Sequence, residues 1–95
     1  MQSAGKLARI FKALSVVSRV KIIQLLKERT LCVNALAARL EITPAAVSQH
    51  LRVLRDADLL TTDKRGNSVH YQVNHETLEV WQRQVNVLLQ LGDDS

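Results

Sequence analysis

The chain opens with apolar residues at helical spacing. Leu7, Ile10, Phe11 and Leu14 recur every three or four positions, which predicts an amphipathic helix over Ala4–Leu14. Ser15 is placed to cap a second helix. Its Val20, Ile22, Ile23, Leu25 and Leu26 make a broad buried face before the pattern stops near Glu28–Thr30. A short helix follows over Val33–Leu40, with Leu36, Ala37 and Leu40 apolar, and Glu41-Ile42-Thr43 interrupts it. Thr43-Pro44 is a strong start signal. The hydroxyl can accept from a free amide, and proline loses nothing at the first helical position. The helix it opens runs to about Ala57, with Val47, Leu51 and Leu54 on one face. Helix, three-residue turn and longer helix, about 33–57, make a helix-turn-helix unit.

After Asp58 the period changes from helical to two. Leu60–Lys64 and Ser68–Val73 are predicted strands joined through Arg65-Gly66-Asn67. In the second, Val69, Tyr71 and Val73 alternate with His70 and Gln72. A hairpin at 60–73, directly behind a helix-turn-helix, is the wing of a winged helix. Asn74 is placed to cap a last helix, about 75–91, which Gly92 ends before a frayed 93–95 tail. Along it Leu78, Trp81, Val85 and Leu88 form a seam suited to a partner. The expected fold is therefore mainly α (α+β). It is a single winged helix-turn-helix domain over 1–95, with five helices and a two-stranded hairpin between the fourth and fifth. Dimerisation helices are expected at about 4–14 and 75–91, with Leu7, Ile10, Phe11, Leu78, Trp81, Val85 and Leu88 at the interface of a homodimer.

Charge sharpens this picture. The net charge is +4, and it is unevenly spread: residues 1–55 hold ten Lys and Arg against two acids, the remainder three against seven. A basic half suits a polyanion, with nucleic acid the first candidate. Three aromatic residues are too few for a base-stacking platform. With one cysteine, Cys32, an intramolecular disulfide is excluded, which fits a reducing compartment. No signal peptide is expected, since Lys6, Arg9 and Lys12 interrupt the start, and no apolar run approaches the ~20 residues a membrane span needs. A cytoplasmic protein without membrane contact is expected.

The chemistry concentrates on the helix from Pro44. At about 100° per residue, Ala45, Ser48, Gln49 and Arg52 cluster opposite Val47, Leu51 and Leu54, close to the Thr43-Pro44 start where a groove-reading helix meets base edges. Gln suits adenine; Arg suits guanine or phosphate. At the hairpin tip Lys64, Arg65 and Asn67 are placed to meet a phosphate backbone or the minor groove. His50 lies at the edge of its helix's apolar face. His70 and His75 have no matched carboxylate-histidine spacing, so no metal site is expected. No phosphate loop, nucleophile elbow or cofactor motif occurs, and neither an enzyme nor a cofactor is expected.

A specific likeness lies in the residues themselves. Ala13-Leu14-Ser15, Arg19, Leu25-Leu26-Lys27, Leu31-Cys32-Val33, Leu36-Ala37, the run Ala46 to Arg55 with Leu59, then Gly66 and Tyr71 resemble the ArsR/SmtB family of bacterial repressors. The likeness covers about Ala13 to Val73, and the stretch VSQHLRVLRDADLL is close to the family's VSxHLKxLxxAGLV signature. It implies dimers held by the first and last helices, a recognition helix from Pro44, double-stranded operator DNA as partner, and release when an inducer binds.

The departures from the family pattern bear on its sensing chemistry. Many members carry Cys-Val-Cys on the short helix, but Cys32-Val33 is followed here by Asn34. Others bind metal through an acid and histidines on the last helix, and Glu76–Leu91 has no histidine. Glu41 stands where the family usually has a left-handed Gly. Cys32 would lie at a helix N-terminus, where the dipole lowers a thiol pKa, so a thiol- or metal-responsive sensor is one alternative. A dimeric protein-interaction module that binds no DNA is the other. The small-molecule or redox inducer is not named by any residue.

Overall fold

A computed structural model describes residues 3–92. The elements in order are α1 (Ala4–Ala13), α2 (Val17–Leu26), β1 (Leu31–Cys32), α3 (Val33–Leu40), α4 (Pro44–Asp56), β2 (Leu60–Arg65), β3 (Ser68–Val73) and α5 (His75–Leu89). Among the described residues, five helices accompany one small antiparallel sheet. The caps explain several boundaries. Ser3 Oγ accepts from Lys6 N, Thr43 Oγ1 from Ala46 N at 3.1 Å, and Asn74 Oδ1 from Thr77 N, each satisfying an otherwise free first-turn amide.

The core is aliphatic. Ile22 and Leu26 of α2, Leu36 of α3, Val47, Leu51 and Leu54 of α4, and Leu59 are almost completely buried, with Leu60 and Val73 closing the sheet side. The wing is therefore fixed to the helix-turn-helix at its base. Towards the tip, Thr61 through Val69 are all exposed.

Four details differ from the sequence reading. The sheet has three strands in the order β1-β3-β2, because Leu31 and Cys32 pair with Tyr71 and His70. Two residues carry too little pattern to announce a strand. Ser15 does not cap α2: its hydroxyl donates to Lys12 O at 2.8 Å, closing α1, and Val16 is the cap position without a side-chain bond. Arg65 belongs to β2, so the hairpin loop is Gly66-Asn67 alone. The left-handed φ of 62° at Gly66, with no such value at Asn67, is the pattern of a type II′ turn. Finally, α5 stops at Leu89 and Gln90 is extended, so Gly92 is not its terminator. The 93–95 tail lies outside the described residues.

Glu41 has φ 58° and ψ 42°, the left-handed conformation expected where the family has Gly. Asp58 repeats the device with φ 63° between α4 and β2. A left-handed non-glycine residue costs roughly 1–2 kcal/mol. Both turns are held against that cost by the packing on either side of them.

Candidate nucleic-acid interface

Thr43 and Pro44 start α4 with its first turn bonded, since Val47 N also donates to Thr43 O at 3.0 Å. With Val47, Leu51 and Leu54 turned into the core, the other side of the helix is left to solvent. Ala45, Ser48, Gln49 and Arg52 are all exposed, as are Thr43 and Pro44. One surface thus carries a small residue, a hydroxyl, an amide and a guanidinium, with no bulky side chain among them.

The structure adds Arg55, Asp56 and Tyr71 to this surface. A hollow of about 380 Å³ lies between α4 and the sheet, lined by Ser48, Leu51, Arg52, Arg55, Asp56 and Tyr71. Arg55 follows Arg52 by one helical turn, and that spacing was visible in the sequence. Tyr71 was legible only as an alternating strand residue, because it lines this hollow with the two arginines only once the sheet packs beside α4. Two guanidiniums, a phenol and a hydroxyl outnumber the one carboxylate, Asp56, and form a set of donors suited to phosphate oxygens.

Lys64, Arg65 and Asn67 lie on the exposed tip as expected. Arg65 is not free, however: its Nε lies 3.0 Å from Asp63 Oδ2, with the two side chains 57% and 52% exposed. An exposed pair of this kind is worth ~0–1 kcal/mol, so a phosphate can replace the carboxylate at little cost.

Cys32 is a free, half-buried thiol at the cap position of α3, and it makes no capping bond. Directly across the sheet from it is His70, and across from His70 on the other side is Asp63. The His70 Nδ1 is buried without a hydrogen-bond partner. Among the described residues, no group of three His, Cys, Asp or Glu side chains is placed to hold a metal ion. His50 is half-buried at the edge of α4, and His75 is exposed as the first residue of α5.

Of the residues expected at a dimer interface, Leu7 and Ile10 are already buried within one chain. Leu78, Trp81 and Val85 are half-buried, while Phe11 and Leu88 are exposed. No helix among the described residues is long and apolar enough to cross a membrane.

Against known proteins, residues 17–62 match the model of the arsR family of bacterial regulatory proteins. The arsenical resistance operon repressor of Staphylococcus xylosus is 35% identical over 86 residues, which cover 90% of this chain and 83% of that protein. The chain belongs to the ArsR family. Among solved structures, an ArsR-like transcriptional regulator from Rhodococcus sp. RHA1 superposes with a TM-score of 0.78 at 27% identity, covering 88% of this chain and 79% of the other. The homodimeric winged helix-turn-helix DNA-binding domain Mb0332 of Mycobacterium bovis shares the fold, at a TM-score of 0.72 and 22% identity over 100% of this chain and 95% of that one. This ArsR-family chain is accordingly a DNA-binding transcriptional regulator with a winged helix-turn-helix fold, and not an enzyme.

Proposed function

We propose that this ArsR-family protein is a homodimeric repressor acting in the cytoplasm on an inverted-repeat operator, from which an inducer releases it. The observation that carries the reading is the uncluttered polar face of α4, where Ala45, Ser48, Gln49 and Arg52 are exposed beside the arginine- and tyrosine-lined hollow. In this reading α4 enters the major groove from its Thr43-Pro44 end. Gln49 reads a base edge one turn in, and Arg52 meets a base or a phosphate. Lys64, Arg65 and Asn67 follow the backbone, joined by Arg55 and Tyr71. Phe11, Leu78, Trp81, Val85 and Leu88, over the buried Leu7 and Ile10, pack against a second copy. That pairing presents two α4 helices to successive major grooves about 34 Å apart.

Titrations on duplexes separate these roles. The operator is first located by footprinting on the DNA upstream of the protein's own gene; titrations on it and on a scrambled duplex are then run at several salt concentrations. Gln49→Ala is expected to cost ~1–3 kcal/mol on the operator and little on scrambled DNA. Arg65→Ala is expected to weaken both duplexes and to reduce the salt slope by about one unit. If both changes weaken the two duplexes equally, Gln49 does not read bases. Salt-insensitive binding of a protein in place of DNA would instead favour the interaction-module reading.

A further inference from the structure

A second hollow, of about 680 Å³, shares Asp56 with the first and is otherwise lined by different residues. Four helices contribute to its wall, α2 through Arg19 alone. From α1 come Lys6, Arg9, Ile10, Lys12 and Ala13, and from the end of α4 come Val53, Asp56 and Ala57. Val80, Trp81 and Gln84 come from the first half of α5. Its volume falls within the ~300–1,000 Å³ of small-molecule sites.

The chemistry of the wall is two-sided. Ile10, Ala13, Val53, Ala57, Val80 and the single tryptophan give it an apolar body. Along one edge stand Lys6, Arg9 and Lys12, spaced three apart and so on one face of α1. The ion pair found among the described residues is Asp63–Arg65 on the wing, so these three cations have no carboxylate partner among those residues. Arg19, also in the wall, is held by the carbonyls closing α1: its Nε donates to Ala13 O at 2.7 Å and its Nη2 to Lys12 O at 3.0 Å. It is a fixed positive wall and not a mobile side chain.

Asp56 and Asp58 stand in the same wall, and Asp58 accepts from Thr77 Oγ1 at 3.3 Å. Two carboxylates repel a multiply charged anion, and an apolar floor leaves the oxygens of a nucleotide or a DNA backbone unsatisfied. A single negative charge on an apolar body meets both objections least: the four cations of the wall outnumber its two carboxylates, and the apolar part satisfies the floor. Its body lies against Trp81 and its charge reaches the Lys6–Lys12 edge.

From this arrangement we infer that the hollow between α1, the end of α4 and α5 binds a small organic acid, a monocarboxylate with an apolar, ring-sized body. The site is separate from the polar face of α4, and it touches both the helix that carries Gln49 and the helix that carries the exposed apolar seam.

The test uses 2-naphthoate as the probe, with the uncharged 2-naphthamide as its control, on the isotope-labelled full chain followed by NMR. No DNA is present, so the result is independent of the operator reading. Trp81 provides the chain's single indole N–H signal. Saturable shifts are expected at that signal and at the amides of Arg9, Ala13 and Ala57. Binding should weaken about tenfold for the amide probe, and about tenfold for naphthoate in the R9Q/K12Q double variant, the loss expected when charge-assisted contacts go. The two substituted side chains are exposed, and circular dichroism checks that the variant is folded. Equal binding of acid and amide, or full retention of naphthoate binding in R9Q/K12Q, overturns the inference. So do shifts confined to Val87–Leu91, which place the probe on the outer seam of α5. Absence of shifts also overturns it, in monomer and dimer alike; in the dimer it means that the second copy proposed to pack on Trp81 fills the hollow.

Discussion

The two longest helices of this protein, α4 and α5, are built on the same principle and end in opposite conditions. Both are capped by a side-chain oxygen at the N-terminus, Thr43 in one and Asn74 in the other, and both carry apolar residues at helical spacing. In α4 that spacing is used up: Val47, Leu51 and Leu54 are buried within the chain. In α5 no residue is fully buried, and Leu88, Leu89 and Leu91 in and beyond its second half are 46%, 66% and 84% exposed. An apolar stripe in a helix shows that burial is wanted, not where it will come from. The α4 stripe is satisfied by α2, α3 and the sheet, whereas the α5 stripe has only α1 and the edge of the core beneath it.

Breaking α4 should therefore cost the fold, and breaking α5 should cost assembly. Leu54→Ala leaves a cavity in a fully buried site, and a loss of ~2–5 kcal/mol in chemical denaturation is expected. A loss below about 1 kcal/mol would mean that α4 is less firmly packed than its burial indicates. Trp81→Ala, on a half-buried position, should act mainly on dimerisation. About 2 kcal/mol, or roughly 30-fold in the dimer dissociation constant, is expected by sedimentation equilibrium. A monomeric wild-type protein at micromolar concentration would remove the contrast between the two helices.

Two smaller effects sharpen it from the α3–α4 side. Glu41→Gly relieves a left-handed φ of 58° and should raise stability by about 0.5–1 kcal/mol, after the larger entropy of glycine in the unfolded chain is deducted. An unchanged or lower melting temperature would show that the Glu41 side chain contributes something its exposed position does not reveal. The smallest effect belongs to Cys32→Ser. Under reducing conditions stability should stay within about 0.5 kcal/mol and operator affinity within about twofold, because the thiol makes no capping bond. Loss of operator affinity on oxidation in the wild type, absent in C32S, would identify Cys32 as a sensing thiol.

The sequence was most informative where a signal lies within one or two turns of chain. Thr43-Pro44 announced α4, the break at Glu41-Ile42 announced the turn, and the change of period after Asp58 announced the wing; all three stand where the pattern put them. The polar face of α4 followed from the same periodicity, so Ala45, Ser48, Gln49 and Arg52 were legible as one surface before any coordinate.

What only the tertiary structure decided depends on residues far apart in the chain. β1 exists because Leu31 and Cys32 meet Tyr71 and His70, and two residues have no pattern of their own. That pairing also sets Cys32 opposite the unpartnered His70. Tyr71 lines a hollow with Arg52 and Arg55 once the sheet packs beside α4, and the Asp63–Arg65 pair depends on how two exposed wing side chains turn towards each other. The hollow beside Trp81 is likewise assembled from α1, α2, α4 and α5, which adjoin there only in the folded chain. Periodicity and capping are local and are written in consecutive residues. Which stripe finds cover, which cation finds a carboxylate and where a hollow remains are settled by packing among distant elements, and there the linear pattern is silent.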